Sequence, residues 1–554
     1  MRLSASQKSR FDSVRDMLAL SPITLSALTI VFVFIFQNYT FWTIAAEIFS
    51  GHPLSWAGYI AALFCLTLAA FSLFAFPWVV KPFLASIVLL GAVTSFYMDS
   101  LGVMIDRDMI QNVMVTTLTE SRHLVTAGFL LHVLVFGILP ALVILSVRIR
   151  RQRFLWAAGA PVVTFVVSLA LAGGFLMVDL KAYASTLRER KEFMGSFQPG
   201  APLVGAIRYA KMMSRSASLT VAPVGRDAVK GASYAVADKP VLAIVVAGET
   251  ARSQNFSLNG YTVDTNPELA KLPVVSFSDV DSCGTATAVS LPCMFSKFDR
   301  ADFSYEDGVA NENVLDVLTT AGMNVEWWDN NTGHKGIADR IQSRSFTHET
   351  NPEFCAAGEC TDGIFMQALQ EYVGTITRDT VLVLHQIGSH GPTYYLRYPD
   401  AFERFTPACR TAEFKNCSPE EIRNSYDNTI LFTDKVLADT IAFLTAQDGL
   451  VTSLLYISDH GESLGENGLF LHGSPYFMAP EFQTKVPMIL WMSDTFQDRF
   501  SIDDGCLETS KDAPLSQDNL FHSLLGMLDI RTSEYNRELD IFASCKTAHD
   551  LALK

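Results

Sequence analysis

Long apolar runs in the first third of the chain constrain its fold more than any other feature. Of the 554 residues, those before residue 180 hold nearly all of the extended apolar stretches. A helix that crosses a bilayer needs about 20 mostly apolar residues. Runs of this kind lie at 23–48, 56–77, 79–98, 124–147 and 154–178. The first is too long, and too soon followed by others, to be a cleaved signal peptide. The pattern predicts an α-helical membrane domain over 1–180 with five transmembrane helices.

Basic residues predict the orientation of these helices. They lie before the first run, between the second and third, and between the fourth and fifth: Arg2, Lys8, Arg10, Arg15, Lys81 and the segment 148–153. The other two loops carry almost no positive charge, and 99–122 is acidic. By the positive-inside rule the N-terminus is cytoplasmic, and five spans leave the C-terminal part outside. If one run were a buried or re-entrant helix, the C-terminal part would lie on the opposite side.

The cysteines favour an external C-terminal part. Of the nine, Cys65 lies in a predicted span and the others follow residue 280. They fall in close pairs: Cys283 with Cys293, Cys355 with Cys360, Cys409 with Cys417, leaving Cys506 and Cys545. An even number in an external domain is typical of disulfides. A zinc cluster is the alternative, but its repeated C-x-x-C spacing is absent. The cysteines therefore predict an oxidising compartment such as a bacterial periplasm.

The pattern changes after the apolar runs. Residues 181–240 predict bridging helices, with apolar residues at helical spacing suited to a membrane surface, followed by a polar linker. Short continuous apolar runs, typical of buried strands, then alternate with amphipathic segments over 241–554. This alternation predicts one α/β sandwich domain with a parallel sheet covered on both faces. The net charge of −15 argues against a nucleic-acid partner.

Polar side chains follow the predicted strands of this domain. Acids, amides and histidines stand at the strand ends or soon after them: Glu249, Asp329, Asn330, Asn331, Lys335, His385, His390, Asp459, His460, Glu462 and His472. Ligands of open α/β sheets gather beyond the carboxyl ends of the strands. Carboxylates and imidazoles that converge there suit zinc and leave a position for a substrate group. Any one of these histidines alone would more simply be a structural or surface residue.

The stretch DSCGTATAVSLPCMFS, residues 281–296, places small hydroxyl residues between two cysteines. A threonine hydroxyl is a poor nucleophile until a metal or base lowers its pKa. A disulfide would hold such a nucleophile in place, and AVSLPCMFS could begin a helix whose positive end favours a phosphate. A simple stapled turn is the alternative. The residues of this stretch alone leave both interpretations open.

Several motifs in order resemble one family. They are GETAR at 248–252, CGTATAVSLPCMFS at 283–296, DNN…K at 329–335, GSHGP at 388–392 and SDHGESLGENGLFLHG at 458–473. Together they resemble the bacterial phosphoethanolamine transferases, which include lipid A-modifying and polymyxin-resistance enzymes of the alkaline phosphatase/sulfatase superfamily. The resemblance covers nearly the whole chain. It implies a membrane domain of five helices, a bridging segment and a periplasmic catalytic domain of sulfatase type.

The resemblance also implies residue roles. Thr287 matches the nucleophile that becomes a phosphoethanolamine ester, and Glu249, Asp459 and His460 match zinc ligands that Thr287 completes. The residues that match those holding the phosphoethanolamine group are Asn331, Lys335, His390 and His472. Both histidines could also act in proton transfer or at a second zinc during turnover. The cysteine pairs at 283 and 293, 355 and 360, and 409 and 417 are expected as disulfides.

The outer loop near 100–122 resembles a family segment with polar residues at steps of four. Here these residues are Asn112, Thr116 and Glu120. At this spacing they would share one helix face and meet a lipid headgroup or its ethanolamine cation. Glu47, at the outer end of the first predicted span, could join them or be a simple interfacial acid. The chain departs from many relatives at Gln198, before Pro199, and at His334, which puts acceptor details in doubt.

The implied function is a zinc-dependent, two-step transfer of phosphoethanolamine from phosphatidylethanolamine to a lipid A phosphate through a phosphothreonine. The expected protein is a monomer in the bacterial inner membrane with an external catalytic domain. Alternative acceptors are a lipopolysaccharide core sugar and a periplasmic glucan, and a phosphoglycerol transferase would use the same fold. A formylglycine sulfatase needs Cys or Ser followed by x-Pro-x-Arg, and it is disfavoured because neither Cys283 nor Cys293 begins that pattern. A membrane-anchored ligand sensor is the non-enzymatic alternative.

Overall fold

The computed structural model describes residues 19–116, 118–150, 153–235, 238–356 and 358–546. The chain forms two compact units. The membrane unit contains residues 1–107 and 125–207, and the α/β unit contains residues 108–124 and 208–554. The predicted outer loop thus contributes a segment to the α/β unit. The basic residues before position 19, used above for orientation, lie outside the described residues.

The membrane unit contains four described helices that are long and apolar enough to cross a bilayer. They are Pro53–Ser72, Val80–Leu101, Ala127–Ser146 and Leu155–Leu176. The remaining predicted span, 23–48, is a pair of helices, Pro22–Phe36 and Tyr39–Ile48, bent by 74°. Four to five apolar helices therefore confirm the helical membrane domain. Its first predicted span is a bent pair rather than one continuous helix.

Buried amide side chains explain the bend in the first span. Asn38 donates from Nδ2 to the carbonyl oxygens of Val33 at 3.0 Å and Gln198 at 3.1 Å. Its Oδ1 accepts the backbone N–H of Gln198 at 2.8 Å. Gln37 donates from Nε2 to the carbonyl oxygens of Val88 and Phe136, each at 2.9 Å. Amide groups buried among apolar side chains must be hydrogen-bonded. The chain therefore bends at Gln37 and Asn38, where the two amide side chains reach backbone partners.

The bridging region begins with short helices and ends attached to the α/β unit. Its helices are Leu180–Glu189, Lys191–Gly195 and Gly200–Ser216. The expected polar linker is not free, because Val229–Lys230 pairs antiparallel with Ile530–Arg531. The two ends of the α/β unit are therefore fastened to each other.

An eight-stranded sheet forms the centre of the α/β unit. In chain order its strands are β1 Val241–Gly248, β2 Val275–Asp281, β3 Asn324–Asp329, β4 Gln342–Ser345, β5 Thr380–His385, β6 Val451–Ser458, β7 Lys485–Met492 and β8 Leu515–Ser516. Across the sheet the order is β8-β2-β7-β6-β1-β5-β3-β4. Strands β1, β5 and β6 consist entirely of buried residues, which explains their continuous apolar sequences.

The sheet is mixed, which corrects the prediction of a parallel sheet. Strand β7 runs antiparallel to both of its neighbours, β2 and β6. The segment 459–484 that joins β6 to β7 contains no long crossover helix, only short elements between Ser463 and Thr484. A parallel return would need such a crossover. The connection therefore stays at the carboxyl end of β6, where the sequence places most of its candidate site residues.

Helices cover the sheet as the sequence predicts. The helices Val314–Thr320, Ile364–Val373 and Pro419–Thr445 lie in the amphipathic segments between the strands. The longest begins at Ser418, whose side chain accepts the backbone N–H of Glu421 while the Glu421 carboxylate accepts the N–H of Ser418. This capping box fixes the start of the helix. The fold is the α/β sandwich expected of the alkaline phosphatase/sulfatase type.

Four disulfides brace the α/β unit. They join Cys283 to Cys293, Cys355 to Cys360, Cys409 to Cys417 and Cys506 to Cys545. Cys65, in the membrane unit, is the free cysteine of the described residues. The first three pairs are those expected from the sequence, and the fourth joins the two cysteines that remained. The first pair encloses the hydroxyl-rich loop.

Candidate active site

Thr287 lies at the start of a short buried helix. The helix Thr287–Met294 follows Ala286, and the disulfide from Cys283 to Cys293 ties this helix to the loop before it. Gln517 accepts the backbone N–H of Cys283 at 2.7 Å. The same amide donates to the carbonyl oxygen of Asp459 at 2.8 Å. Gln517 therefore joins the hydroxyl-rich loop to the end of β6, and the loop is fixed at both of its ends.

Two carboxylates and an imidazole surround the hydroxyl of Thr287. Glu249 directly follows β1, while Asp459 and His460 directly follow β6. The Thr287 hydroxyl lies 3.1 Å from Glu249 Oε2 and 3.3 Å from His460 Nε2. His460 Nε2 is 3.5 Å from Glu249 Oε1 and 3.4 Å from Asp459 Oδ2. The adjacent parallel strands β1 and β6 thus bring the predicted metal ligands together. The loop after β2 adds the predicted nucleophile to the same buried cluster.

This cluster has the donor set and the spacing of a metal site. One ligand atom each from Glu249, Asp459 and His460 lies within 4.8 Å of the others, and all three residues are buried. The Nδ1 nitrogen of His460 is 2.9 Å from the carbonyl oxygen of Gly461. A hydrogen bond from Nδ1–H to that oxygen leaves the Nε2 lone pair directed at the carboxylates. Two carboxylates, one imidazole and an adjacent hydroxyl fit zinc.

Within the cluster, the ionised form of one carboxylate disfavours ionisation of the other. Burial favours the neutral form of Glu249, but the charges of His460, His390 and His385 and the hydroxyl of Thr250 hold the pKa of Glu249 below its ordinary value. Burial and the nearby charge of Glu249 raise the pKa of Asp459. Two acids this close disfavour joint ionisation unless a cation lies between them. The site therefore favours an added positive charge.

Asn331 also holds the carboxylate of Glu249. Its Nδ2 donates to Glu249 Oε2 at 2.7 Å and to the carbonyl oxygen of Gln386 at 2.8 Å. Thr250 donates its hydroxyl to Glu249 Oε1 at 2.5 Å. Glu249 thus has partners that fix the direction of both carboxylate oxygens. Asn331, at the end of β3, is placed beside the cluster as predicted.

The other predicted histidines lie next to His460. The ring of His472 is 4.5 Å from that of His460 and 5.3 Å from that of His390, measured between centroids. His472 Nδ1 is 2.8 Å from Glu462 Oε2, and Tyr394 donates its hydroxyl to Glu462 Oε1 at 2.7 Å. Burial and the charges of His460 and His390 lower the pKa of His472 to about 3. A neutral His472, oriented by Glu462, therefore extends the cluster.

Comparisons with known proteins match both units. A family model described as "Phosphoethanolamine transferase EptA/EptB" matches residues 63–213, and one described as "Sulfatase" matches residues 242–530. Phosphoethanolamine transferase EptA of Escherichia coli K12 is 41% identical over 86% of this chain and 87% of its own length. The chain belongs to the phosphoethanolamine transferase family. It is therefore an enzyme that transfers phosphoethanolamine, and a sensor without catalysis is excluded.

Two further relatives are similar to this chain over a larger share of its length. Phosphatidylethanolamine transferase Mcr-1 of Escherichia coli is 34% identical over 92% of this chain and 96% of its own length. The structure of the integral membrane protein lipooligosaccharide phosphoethanolamine transferase A (EptA) from Neisseria meningitidis superposes with a TM-score of 0.91. It covers 94% of this chain and 98% of its own, at 34% identity. The fold predicted from the motifs is thereby confirmed.

Lys335 lies four residues after Asn331 in this transferase, in the turn that follows β3. It has the left-handed backbone angle φ of 50°. Its Nζ donates to the carbonyl oxygen of Thr332 at 2.7 Å and to the Thr332 hydroxyl at 2.6 Å. The lysine therefore supports the turn that follows β3. Its part in holding the transferred group stays a prediction.

The outer-loop residues do not share a single helix face. Asn112 lies in the helix Arg107–Val115, which ends before Thr116, and Glu120 lies in a second helix, Leu118–Leu124. The Thr116 hydroxyl donates to the carbonyl oxygen of Asn112 at 2.7 Å. This local bond ends the first helix, because it supplies a partner outside the helical ladder. The side chain of Glu120 lies outside the described residues.

Asp329 and His385 form a buried pair in this transferase, and the sequence alone assigned no role to that pair. Asp329 Oδ2 is 2.8 Å from His385 Nδ1, and His385 Nε2 faces Glu249 Oε2 at 4.0 Å. Trp327 donates its indole N–H to Asp329 at 2.9 Å. Both residues of the pair stand at strand ends, so the position was visible in the sequence. The pairing was not, because it joins β3 to β5, which are distant along the chain.

Proposed function

We propose that this enzyme transfers phosphoethanolamine from phosphatidylethanolamine to a lipid A phosphate through a phosphothreonine at Thr287. One observation carries the proposal: the buried Thr287 hydroxyl lies 3.1 Å and 3.3 Å from Glu249 and His460. A hydroxyl among metal-ligating groups is positioned to act as a nucleophile. The names of the relatives, which include a phosphatidylethanolamine transferase and a Kdo(2)-lipid A phosphoethanolamine 7''-transferase, support the donor and an acceptor that contains lipid A.

Zinc is the proposed cofactor, held by Glu249, Asp459, His460 and Thr287. When bound, it lowers the pKa of the Thr287 hydroxyl and offsets negative charge on the phosphoryl oxygens. One tight site accounts for these ligands, and His390 with His472 could hold a second ion during turnover. The raised pKa of Asp459 supports the proposal, because a cation would relieve its conflict with Glu249.

The protein's own residues carry the steps of the transfer. Thr287 Oγ1 loses its proton and attacks the phosphorus of the donor, and the bond from phosphorus to the glycerol oxygen breaks. The departing diacylglycerol takes up one proton, which balances the proton lost by Thr287. An oxygen of the acceptor phosphate then attacks the same phosphorus, and Thr287 leaves as the hydroxyl. Asn331 and Lys335 orient the phosphoethanolamine group. His390 and His472 face the phosphoryl oxygens and act as hydrogen-bonding and proton-transfer groups there.

The proposed location is the bacterial inner membrane, with the N-terminus in the cytoplasm and the α/β unit in the periplasm. The four disulfides of the α/β unit support an oxidising compartment. The domain limits stay those predicted from the sequence, 1–180, 181–240 and 241–554, and a monomer is expected. Asn112, Thr116 and Glu120 are proposed to contact the lipid headgroup.

Mass spectrometry of the full-length enzyme tests the intermediate. After incubation with phosphatidylethanolamine and zinc, a phosphoethanolamine adduct is expected on the peptide that carries Thr287. Thr287→Ala should carry no adduct and lose activity by a factor of about 1000 or more, because removal of a nucleophile leaves only binding and electrostatic stabilisation. Thr287→Ser, which keeps the hydroxyl, is the matched control and should retain an adduct.

Two results would contradict the proposal. An active Thr287→Ala enzyme would show direct transfer without this threonine. A folded, zinc-loaded wild-type enzyme that forms an adduct only with phosphatidylglycerol would assign a different donor.

A further inference from the structure

A cavity of about 530 Å³ opens beside the reaction site within the α/β unit. Asn331 and His390 line it on the side of the reaction site. The opposite walls come from residues 347–350 and from the hairpin that the disulfide from Cys355 to Cys360 braces. This volume is in the range of pockets for small ligands. The cavity therefore has room for a substrate beyond the phosphoethanolamine group held at Thr287.

Two arginines line this cavity, and they differ in whether a described residue pairs with their charge. Arg397 is buried and donates to Glu359 Oε2 at 2.7 Å and to the carbonyl oxygen of His390 at 2.9 Å, so its charge is already offset. Arg122, an exposed residue of the helix Leu118–Leu124, also lines the cavity. Among residues that the structure describes, none forms an ion pair or hydrogen bond with its guanidinium. With no partner among the described residues, the guanidinium of Arg122 can bind an anion from outside the protein.

The helix that carries Arg122 is attached to the cavity wall. The next residue, His123, lies with Nδ1 at 3.4 Å from the Thr393 hydroxyl and 3.9 Å from Glu359 Oε2. Met109, from the preceding helix, lies against Gly473. The position of Arg122 at the cavity therefore follows from contacts of its neighbours and not from its own side chain.

The rest of the lining suits hydroxyl groups better than acyl chains. Glu349 lines the cavity and has only a 3.7 Å contact with Arg344. Asn330 donates to the carbonyl oxygen of Cys360 at 2.9 Å, yet its own carboxamide oxygen is buried without a partner among the described residues. Carboxylate, amide and hydroxyl groups around one free guanidinium match a ligand with both hydroxyls and an anionic phosphate.

We propose that this cavity is the acceptor subsite, in which a phosphorylated sugar binds with a phosphate on Arg122 and its hydroxyl groups on the wall that contains Glu349. The inference rests on the proposed function, which needs a second substrate whose phosphate reaches phosphorus at Thr287. A ligand here adjoins His390 and Asn331, which hold the transferred group. Arg122 then determines acceptor specificity without taking part in the donor step.

The test separates the two half-reactions of the full-length enzyme in lipid–detergent micelles. Fluorescent phosphatidylethanolamine without acceptor gives the donor step as diacylglycerol released per enzyme. Lipid A is then added, and its phosphoethanolamine product is measured by mass spectrometry. Arg122→Ala should leave the donor step within about twofold and lower kcat/KM for lipid A by about tenfold or more, the loss typical for one charged hydrogen bond. Arg122→Lys should recover part of this loss.

Two variants complete the design. Arg423→Ala removes an exposed arginine outside the cavity and should change neither half-reaction. Glu349→Gln should raise KM for lipid A several-fold and leave the donor step unchanged. Unaltered lipid A kinetics in Arg122→Ala would overturn the proposal, and an equal loss in the donor step would assign the cavity to the donor headgroup. A wild-type enzyme that releases diacylglycerol but labels no lipid A would contradict the proposed acceptor itself, and the inference with it.

Discussion

At the scale of single residues, the site consists of side chains that are poor catalysts alone and that their neighbours position for the reaction. Thr287 has an ordinary hydroxyl, but it is buried beside two acids and His460. His472 is held through Nδ1 by Glu462, which is fixed in turn by Tyr394. The arrangement places its histidines by buried hydrogen bonds, so removing a partner should affect the reaction while the fold remains.

Glu462→Gln tests this positioning role. Glutamine offers one oxygen where glutamate offers two, so the hydrogen bonds to His472 and Tyr394 cannot both be kept in their present form. We expect kcat to fall about tenfold with little change in KM for the donor, as steady-state kinetics would measure. Tyr394→Phe, which removes only the more distant hydroxyl, is the matched control and should lose less. Equal kcat values for wild type and Glu462→Gln would show that His472 needs no such partner.

At the scale of elements, the sequence predicts the site better than it predicts the sheet. Glu249, Asn331 and His460 were visible because strand ends of a largely parallel sheet meet at one edge. The reversed direction of β7 was not visible, because a buried strand has the same apolar pattern in either direction. Gln517 and Arg122 were missed for a different reason. Each contributes through a contact with a distant segment, and neither stands in a motif that suggests chemistry.

The long helix Pro419–Thr445 contains a buried carboxyl group, that of Asp434, which lies outside the site and titrates at an unusual pH. Burial raises the pKa of Asp434 to about 6, while backbone N–H groups of Leu269 and Glu268 partly oppose the shift. Between about pH 4 and pH 6 the folded protein keeps a proton that the unfolded chain has lost. The free energy of unfolding should therefore fall as pH rises through this window, by up to about 3 kcal/mol for this group.

Asp434→Asn removes this ionisation and tests the prediction. Relative to wild type, the variant should gain stability as pH rises from about 4 to 6 and keep the gain above pH 6, in thermal unfolding of the detergent-solubilised enzyme. Asp439→Asn, on the same helix but partly exposed and paired with Lys435, is the control. A difference between Asp434→Asn and wild type that does not vary with pH would contradict the raised pKa.

At the scale of the whole molecule, each unit has its own kind of core. The core of the α/β unit consists of apolar strands between helices. The core of the membrane unit is largely aromatic and aliphatic, yet it contains buried amides at Gln37, Asn38 and Gln198. Polar groups in such surroundings are costly unless they bond to each other or to the backbone. These amides therefore specify one packing of the first helices against the segment before Pro199.

Asn38→Ala tests that packing. The change removes two donated hydrogen bonds and leaves the N–H of Gln198 without its acceptor, at a cost of about 1–3 kcal/mol for each buried group left unpaired. We expect a lower midpoint of thermal unfolding for the membrane unit in detergent and faster proteolysis near the bend. Thr43→Ala, at an exposed position of the next helix, should leave both unchanged. If Asn38→Ala melts like wild type, the amides do not specify the packing.

The antiparallel strand β7 has one more consequence. Because the chain leaves β6 and enters β7 at the same end of the sheet, Asp459, His460, Glu462 and His472 all belong to one uninterrupted stretch. That stretch is a single connection between two strands of the sheet, so its sequence can change without a change in the strands. Exchange, lengthening or shortening between Glu462 and His472 would alter the short hairpin that pairs Ser463–Leu464 with Phe470–Leu471, and with it the shape of the reaction site, while the register of the eight-stranded sheet stays as it is. Diversification of chemistry within such a fold can therefore proceed through one loop, without any change to the sheet that supports it.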